Sequence, residues 1–144
     1  MATWQQFADA APDLAAPIRA RLTATKHHVL ATLRTTGAPR VSGTEVDLTD
    51  DGHLRLGSMA EALKGKDLKR DGRFALHANP GDGSMDGGDA KLAGIATAVP
   101  SGDPEGSDLF ELDIREAVLT TVENDELVIR LWTPEGGVRE IRRK

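Results

Sequence analysis

The chain has 144 residues, a formal charge of −5 and no cysteine, which is enough sequence for one domain that buries a core without metal or disulfide. The missing thiols exclude disulfides, thiolate catalysis and cysteine-held zinc or iron–sulfur centres. Net acidity, with three Phe and no Tyr, argues against a nucleic-acid partner, which needs a basic face and stacking platforms.

Thr3 followed by Gln6 fits a capping box, and Trp4, Phe7, Leu14, Ile18 and Leu22 fall on helical spacing, with Pro12 opening a second set of turns. One broken N-terminal helix is predicted. From His27 the period changes. "HHVLATLR" is apolar and β-branched, "TTGAP" is turn chemistry, "RVSGTEVDL" alternates, and "TDDG" turns the chain into "HLRLGS". Residues 60–70 are rich in Ala, Leu and Lys and predict a short helix closed by Asp71-Gly72.

"RFALHA" resumes strand, and the Gly- and Asp-rich "NPGDGSMDGGD" is a loop before "AKLAGIATAV". "LFELDIREAVLTTV", the turn "ENDE", "LVIRLW" and a last short "VREIRR" complete the pattern. The expected fold is mainly β (α+β), a split barrel of about six to eight antiparallel strands with short flanking helices, because closure removes exposed strand edges. Residues 1–144 form one domain: no repeat or composition break divides them. No apolar run reaches the roughly 20 residues of a membrane span, and the N-terminus lacks a secretory pattern, so a cytoplasmic protein without a membrane partner is expected.

Several chemistries lack their parts. No G-x-S-x-G elbow, Walker loop or Rossmann G-x-G-x-x-G is present. His27, His28, His53 and His77 form neither H-x-H nor H-E-x-x-H, and read as ordinary strand-end or surface residues. Asp82, Ser84 and Asp86 imitate the start of a calcium loop, but Ala93 stands where the closing glutamate belongs. Asp50-Asp51 is hairpin chemistry, while Glu111 and Asp113 are alternate strand residues expected on the solvent face. No metal is expected.

The stretch Gly57 to His77 is different. Ser58 ends a strand and Lys64 stands near the start of the next helix, where free N–H groups and the positive dipole end also favour an anion. The competing reading is that Lys64, Lys66, Lys69 and Arg70 solvate an exposed helix.

The run "ATLRTTGAPRVSGTEVDLTDDGHLRLGSMAEALKGKDLKRDGRFALH" resembles the pyridoxamine 5′-phosphate oxidase-like, FMN-binding split-barrel family, including its actinobacterial deazaflavin-dependent branch. The similarity extends from about Trp4 to Trp132 and includes the order Gly-x-Pro turn, cofactor-lining strand, D-G hairpin, hydroxyl-bearing strand end, lysine and "DL-x-R-D-x-R-x-A-L". By this resemblance the second-strand stretch Ser42, Gly43, Thr44, Glu45 and Val46 lines the ring of a flavin or deazaflavin, Ser58 and Lys64, six residues on, hold its phosphate, and Gly57 beside Ser58 is a further cofactor-binding candidate. Arg40, Lys66 and Trp132 are further cofactor-binding candidates, with Lys66 suited to an acidic cofactor tail and Trp132 to a wall across a subunit interface.

Where the oxidases proper carry an arginine opening the second-strand motif, and a serine and an arginine before the lysine, this chain has Ser42, Ala62 and Leu63. Lost guanidinium forks weaken phosphate binding in the usual manner. "WTPEGGVREIRR" resembles the oxidases' substrate-holding W-x-G-G segment through Trp132, Gly136, Gly137 and Arg139, but lacks its R-L-H, so vitamin B6 oxidation is not expected.

The resemblance implies a homodimer with the cofactor, coenzyme F-420 (8-hydroxy-5-deazaflavin) or FMN, at the interface, and hydride transfer to a small conjugated acceptor without an obligatory side-chain acid or base. A non-catalytic flavin, deazaflavin or tetrapyrrole binder and a purely structural dimer are the rivals.

Overall fold

The computed structural model describes residues 2–144. Thr3 caps helix α1 (Trp4–Ala10): its hydroxyl accepts the Gln6 N–H while the Gln6 side chain accepts the Thr3 N–H, the reciprocal box expected from the sequence. Pro12 cannot continue α1 but suits a first helical position, so α2 (Pro12–Ala24) starts afresh after Ala11.

The strands are β1 (His28–Leu33), β2 (Pro39–Thr44), β3 (Val46–Leu48), β4 (Leu54–Ser58), β5 (Arg73–His77), β6 (Asp89–Val99), β7 (Asp108–Glu123), β8 (Glu126–Thr133) and β9 (Gly137–Arg143), with α3 (Leu63–Arg70) between β4 and β5. All pairings are antiparallel, in the order β2-β1-β5-β6-β7-β4-β3. Both ends of that path, β2 and β3, belong to one stretch of chain interrupted only at Glu45, which closes the sheet into a barrel. The single second strand expected from "RVSGTEVDL" is therefore two. Its halves pair with opposite neighbours, and the bend at Glu45 is what lets them do so.

The long β7 runs along β6 on one edge and divides its other edge between two further partners. Residues 108–111 pair with β4 and residues 117–123 with β8, and β9 then extends the β8 edge. Asn124 and Asp125, both at positive φ, make the two-residue turn that joins β7 to β8. β9 is exposed along its whole length and pairs only with β8.

The α1 and α2 helices close over β6 and β7, placing Phe7 and Ile18 at zero exposure against a core that includes Leu30, Leu56, Phe110 and Ile114. The expected solvent-facing position of Asp113 is a correction. Its carboxylate accepts the Ala2 N–H and pairs with Arg115, tying the start of the chain to β7. His28 is a core residue: its Nδ1 accepts the Asn79 N–H (3.0 Å) and its Nε2 meets the Leu22 carbonyl (2.9 Å). Asn79 opens the Gly-rich loop, which Arg21 also clasps through the Asn79 and Asp86 carbonyls. Among the described residues no three His, Asp or Glu side chains gather as a metal set, and no helix is long and apolar enough to cross a membrane.

Candidate functional site

Closure of the barrel at Glu45 brings the end of β2 beside the end of β4 and the first turn of α3. A cleft of about 600 Å³ opens there, lined by Gly43, Thr44, Glu45, Gly57, Ser58 and Lys64, together with His27, Met59, Ser101, Ser107, Asp108 and Leu109. Six of the residues singled out from the sequence thus share one cavity.

The walls at Gly43 and Gly57 are bare backbone. A Cβ at Gly43 would meet nothing within 4 Å, and one at Gly57 only the Asp108 carbonyl at 3.7 Å. A flat ring can lie against such strands, and its edge can reach main-chain N–H and C=O groups. This fits a flavin-type ring.

Ser58 is the last residue of β4 and is buried; its hydroxyl has only a long bond, 3.3 Å, to the neighbouring Met59 carbonyl. The connection to α3 passes through Glu61 at φ 68°, a conformation that side-chain-bearing residues rarely adopt. No side chain caps the helix at Ala62. Lys64 follows on its first turn, with its ammonium 3.0 Å from the Gly43 carbonyl across the cleft. Partial burial lowers the Lys64 pKa, and the Glu45 carboxylate works against that shift.

The remaining candidates lie elsewhere. Arg40 is turned under α3, where its Nε donates to Asp67 at 2.7 Å. Asp67, almost closed to solvent, also accepts the Thr32 hydroxyl at 2.8 Å and Arg70 at 3.3 Å. Arg40 therefore does not fold back to replace the guanidinium missing at Ser42. Ser42 pairs with Leu30 and, by strand alternation, faces away from Gly43. Lys66 reaches Glu61 at 3.0 Å on the exposed side of α3. Trp132 is buried against Phe7, with ring centroids 4.9 Å apart, and is a core residue of this chain.

Of the cleft residues not singled out as cofactor-binding from the sequence, Asp108 is the carboxylate. Asp108 stands opposite Ser58 in the β4–β7 register, and Lys69 holds its carboxylate at 2.7 Å. A Cβ on Gly65 would come within 2.8 Å of the Ser58 hydroxyl and 2.9 Å of an Asp108 oxygen, so both groups press on the helix backbone beside Lys64.

An antiparallel split barrel with a lysine-bearing cleft at its closure is the class that fold and site define. No family model matches the chain, and none of the curated proteins does. Solved structures do share its fold. PhzG from Burkholderia lata, solved with tetrahydrophenazine-1-carboxylic acid, superposes at TM-score 0.71 and 12% identity over 96% of this chain and 91% of its own. A pyridoxamine 5′-phosphate oxidase-related, FMN-binding protein from Nostoc punctiforme gives 0.66 at 11% identity over 100% and 98%. A heme binding protein from Mycobacterium smegmatis gives 0.52 at 18% identity over 89% and 87%. The chain has the split-barrel fold of the pyridoxamine 5′-phosphate oxidase-like proteins.

Proposed function

We propose that this protein is an oxidoreductase that binds a flavin-type cofactor in the cleft between β2, β4 and α3, and that it is a reductase using coenzyme F-420 to reduce a small conjugated acceptor. The observation that carries the reading is the convergence of bare strand backbone at Gly43 and Gly57 with Ser58 and Lys64 in a single cavity. FMN, named for the Nostoc protein of the same fold, is the alternative cofactor.

Once bound, the cofactor supplies hydride chemistry, and the chain supplies position and shelter. Gly43 and Gly57 offer the ring an unobstructed surface. Ser58 donates a hydroxyl and Lys64 a cation to the phosphate end. Met59 in the cleft lining, and Val41 on β2 and Leu63 on α3, the elements that bound the cleft, form apolar surface, each more than half exposed. Such a patch supports covering by a second copy, and a cytoplasmic homodimer with a cofactor at each interface is part of the proposal. Membership of the family's actinobacterial deazaflavin branch is part of the same proposal.

A second reading is favoured by the likeness to the heme binding protein: a carrier that holds a flavin, deazaflavin or tetrapyrrole without turnover. Titration of the apo-protein with coenzyme F-420, FMN and heme, followed by fluorescence, absorbance and sedimentation, tests both. One deazaflavin per subunit of a dimer, weakened about tenfold by Lys64→Ala as expected for loss of a charge-assisted contact, is the expected result. Saturable heme binding alone establishes the carrier, and unchanged affinity in the variant removes the phosphate clamp.

A further inference from the structure

The carboxylates of the cleft have their own cations. Asp108 is held by Lys69 at 2.7 Å and Glu45 lies 3.6 Å from Lys26. Lys64 has no carboxylate within ion-pair distance among the described residues, and its ammonium rests on a carbonyl. The guanidinium of Arg40, on β2 beside the cleft, is engaged by Asp67 instead. The clamp therefore offers one uncommitted positive charge, with the Asp108 carboxylate beside it at Ser58 and Gly65.

Resting on the flavin-type reading above, we infer that Asp108 is a specificity-determining residue that makes the clamp accept a singly charged phosphodiester and reject a doubly charged phosphomonoester. A diester keeps one negative charge, which Lys64 matches. A terminal monoester has a second ionisation near pH 6 and is mostly a dianion at pH 7.5, by analogy with phosphorylated side chains, whose second pKa is about 6. Its extra charge faces Asp108 with no further cation to meet it, and like charges within a few ångströms in a partly buried site disfavour one another. Lys69 moderates the effect without removing it, because half its side chain is in solvent and it sits on the far oxygen of Asp108 from Gly65. Coenzyme F-420 carries its phosphate as a diester and FMN carries it as a monoester, so the same residue separates the two cofactors left open by the fold.

The test uses FMN and its 5′-methyl phosphodiester, which share ring and ribityl chain, titrated at pH 7.5 into the wild-type protein, Asp108→Asn and Lys69→Met. The wild type is expected to prefer the diester by about tenfold, a difference within the range of one close like-charge contact near a protein surface. Asp108→Asn should bring FMN to within about twofold of the diester, and Lys69→Met should widen the preference, since it leaves Asp108 uncompensated. Circular dichroism and sedimentation confirm that each variant is folded. Equal binding of both ligands by the wild type, or a ratio unmoved in both variants, overturns the inference and leaves the flavin-type reading intact. Binding of neither ligand, nor of coenzyme F-420, overturns both.

Discussion

Replacing Arg40 by Ala separates a structural arginine from a cofactor-binding one. In the folded chain its Nε lies 2.7 Å from Asp67, whose side chain is 4% exposed and is otherwise met by the Thr32 hydroxyl at 2.8 Å and Arg70 at 3.3 Å. Removing one partner of a buried ion pair costs about 3–5 kcal/mol. Here the carboxylate keeps Arg70 and Thr32 and so is not left unpaired, which brings the cost below that range, to about 2 kcal/mol. With a urea dependence of about 2 kcal/mol per molar, typical of a domain this size, the midpoint should fall by about 1 M. The same variant should bind its cofactor within about twofold of wild type, because the guanidinium is outside the cleft. An unchanged urea midpoint with cofactor affinity lost would refute this reasoning and return Arg40 to the binding site.

Asp67 also gives the pH dependence its sign. Burial pushes its carboxyl up, but hydrogen bonds from Arg40 and Thr32 outweigh that and hold the pKa below the ordinary carboxylate value. Its stabilisation is therefore complete above about pH 4 and is lost as the pH falls through the depressed folded value, so the gap between wild type and Arg40→Ala in urea titrations should close on the acid side. Phe7→Ala, which empties a fully buried site between Trp4 and Trp132, should cost about 3–4 kcal/mol and shift the tryptophan emission to the red. Gly94→Ala should cost about 3 kcal/mol or more in the same urea assay, since its Cβ would stand 1.8 Å from the Asp113 carbonyl at the β6–β7 bulge, where backbone must move. A midpoint within 0.2 M of wild type for Gly94→Ala, roughly 0.4 kcal/mol on the same slope, would contradict that packing.

What could be read beforehand was local. The Thr3 and Gln6 box, the turn to strand period expected from His27 and found from His28, the Asp50-Asp51-Gly52 hairpin, and Ser58 at a strand end followed by Lys64 on a helix are all fixed by neighbours within a few residues. What escaped depends on pairing across the chain. Asp108 enters the cleft only because β7 pairs with β4 in the register that sets it opposite Ser58. Arg40 is drawn from the cleft by a carboxylate on α3, and Trp132 is drawn into the core by an N-terminal helix, neither of which spacing along the sequence can reveal. The predicted helix over residues 60–70 begins only at Leu63, because Glu61 adopts the left-handed conformation and ends the turn before it.

The outermost strand carries a consequence for how copies of this protein meet. An open β-edge is a template on which any extended segment can add itself, and β9 leaves its outer row of main-chain groups in water. Yet within and just after it stand Arg139, Arg142, Arg143 and Lys144 against the single acid Glu140, already engaged by Arg130 and Arg142. Two such rims repel as they approach. The fold leaves this border unsealed and keeps it solitary by charge, so that salt, or loss of these cations, is what would let sheets grow end on end.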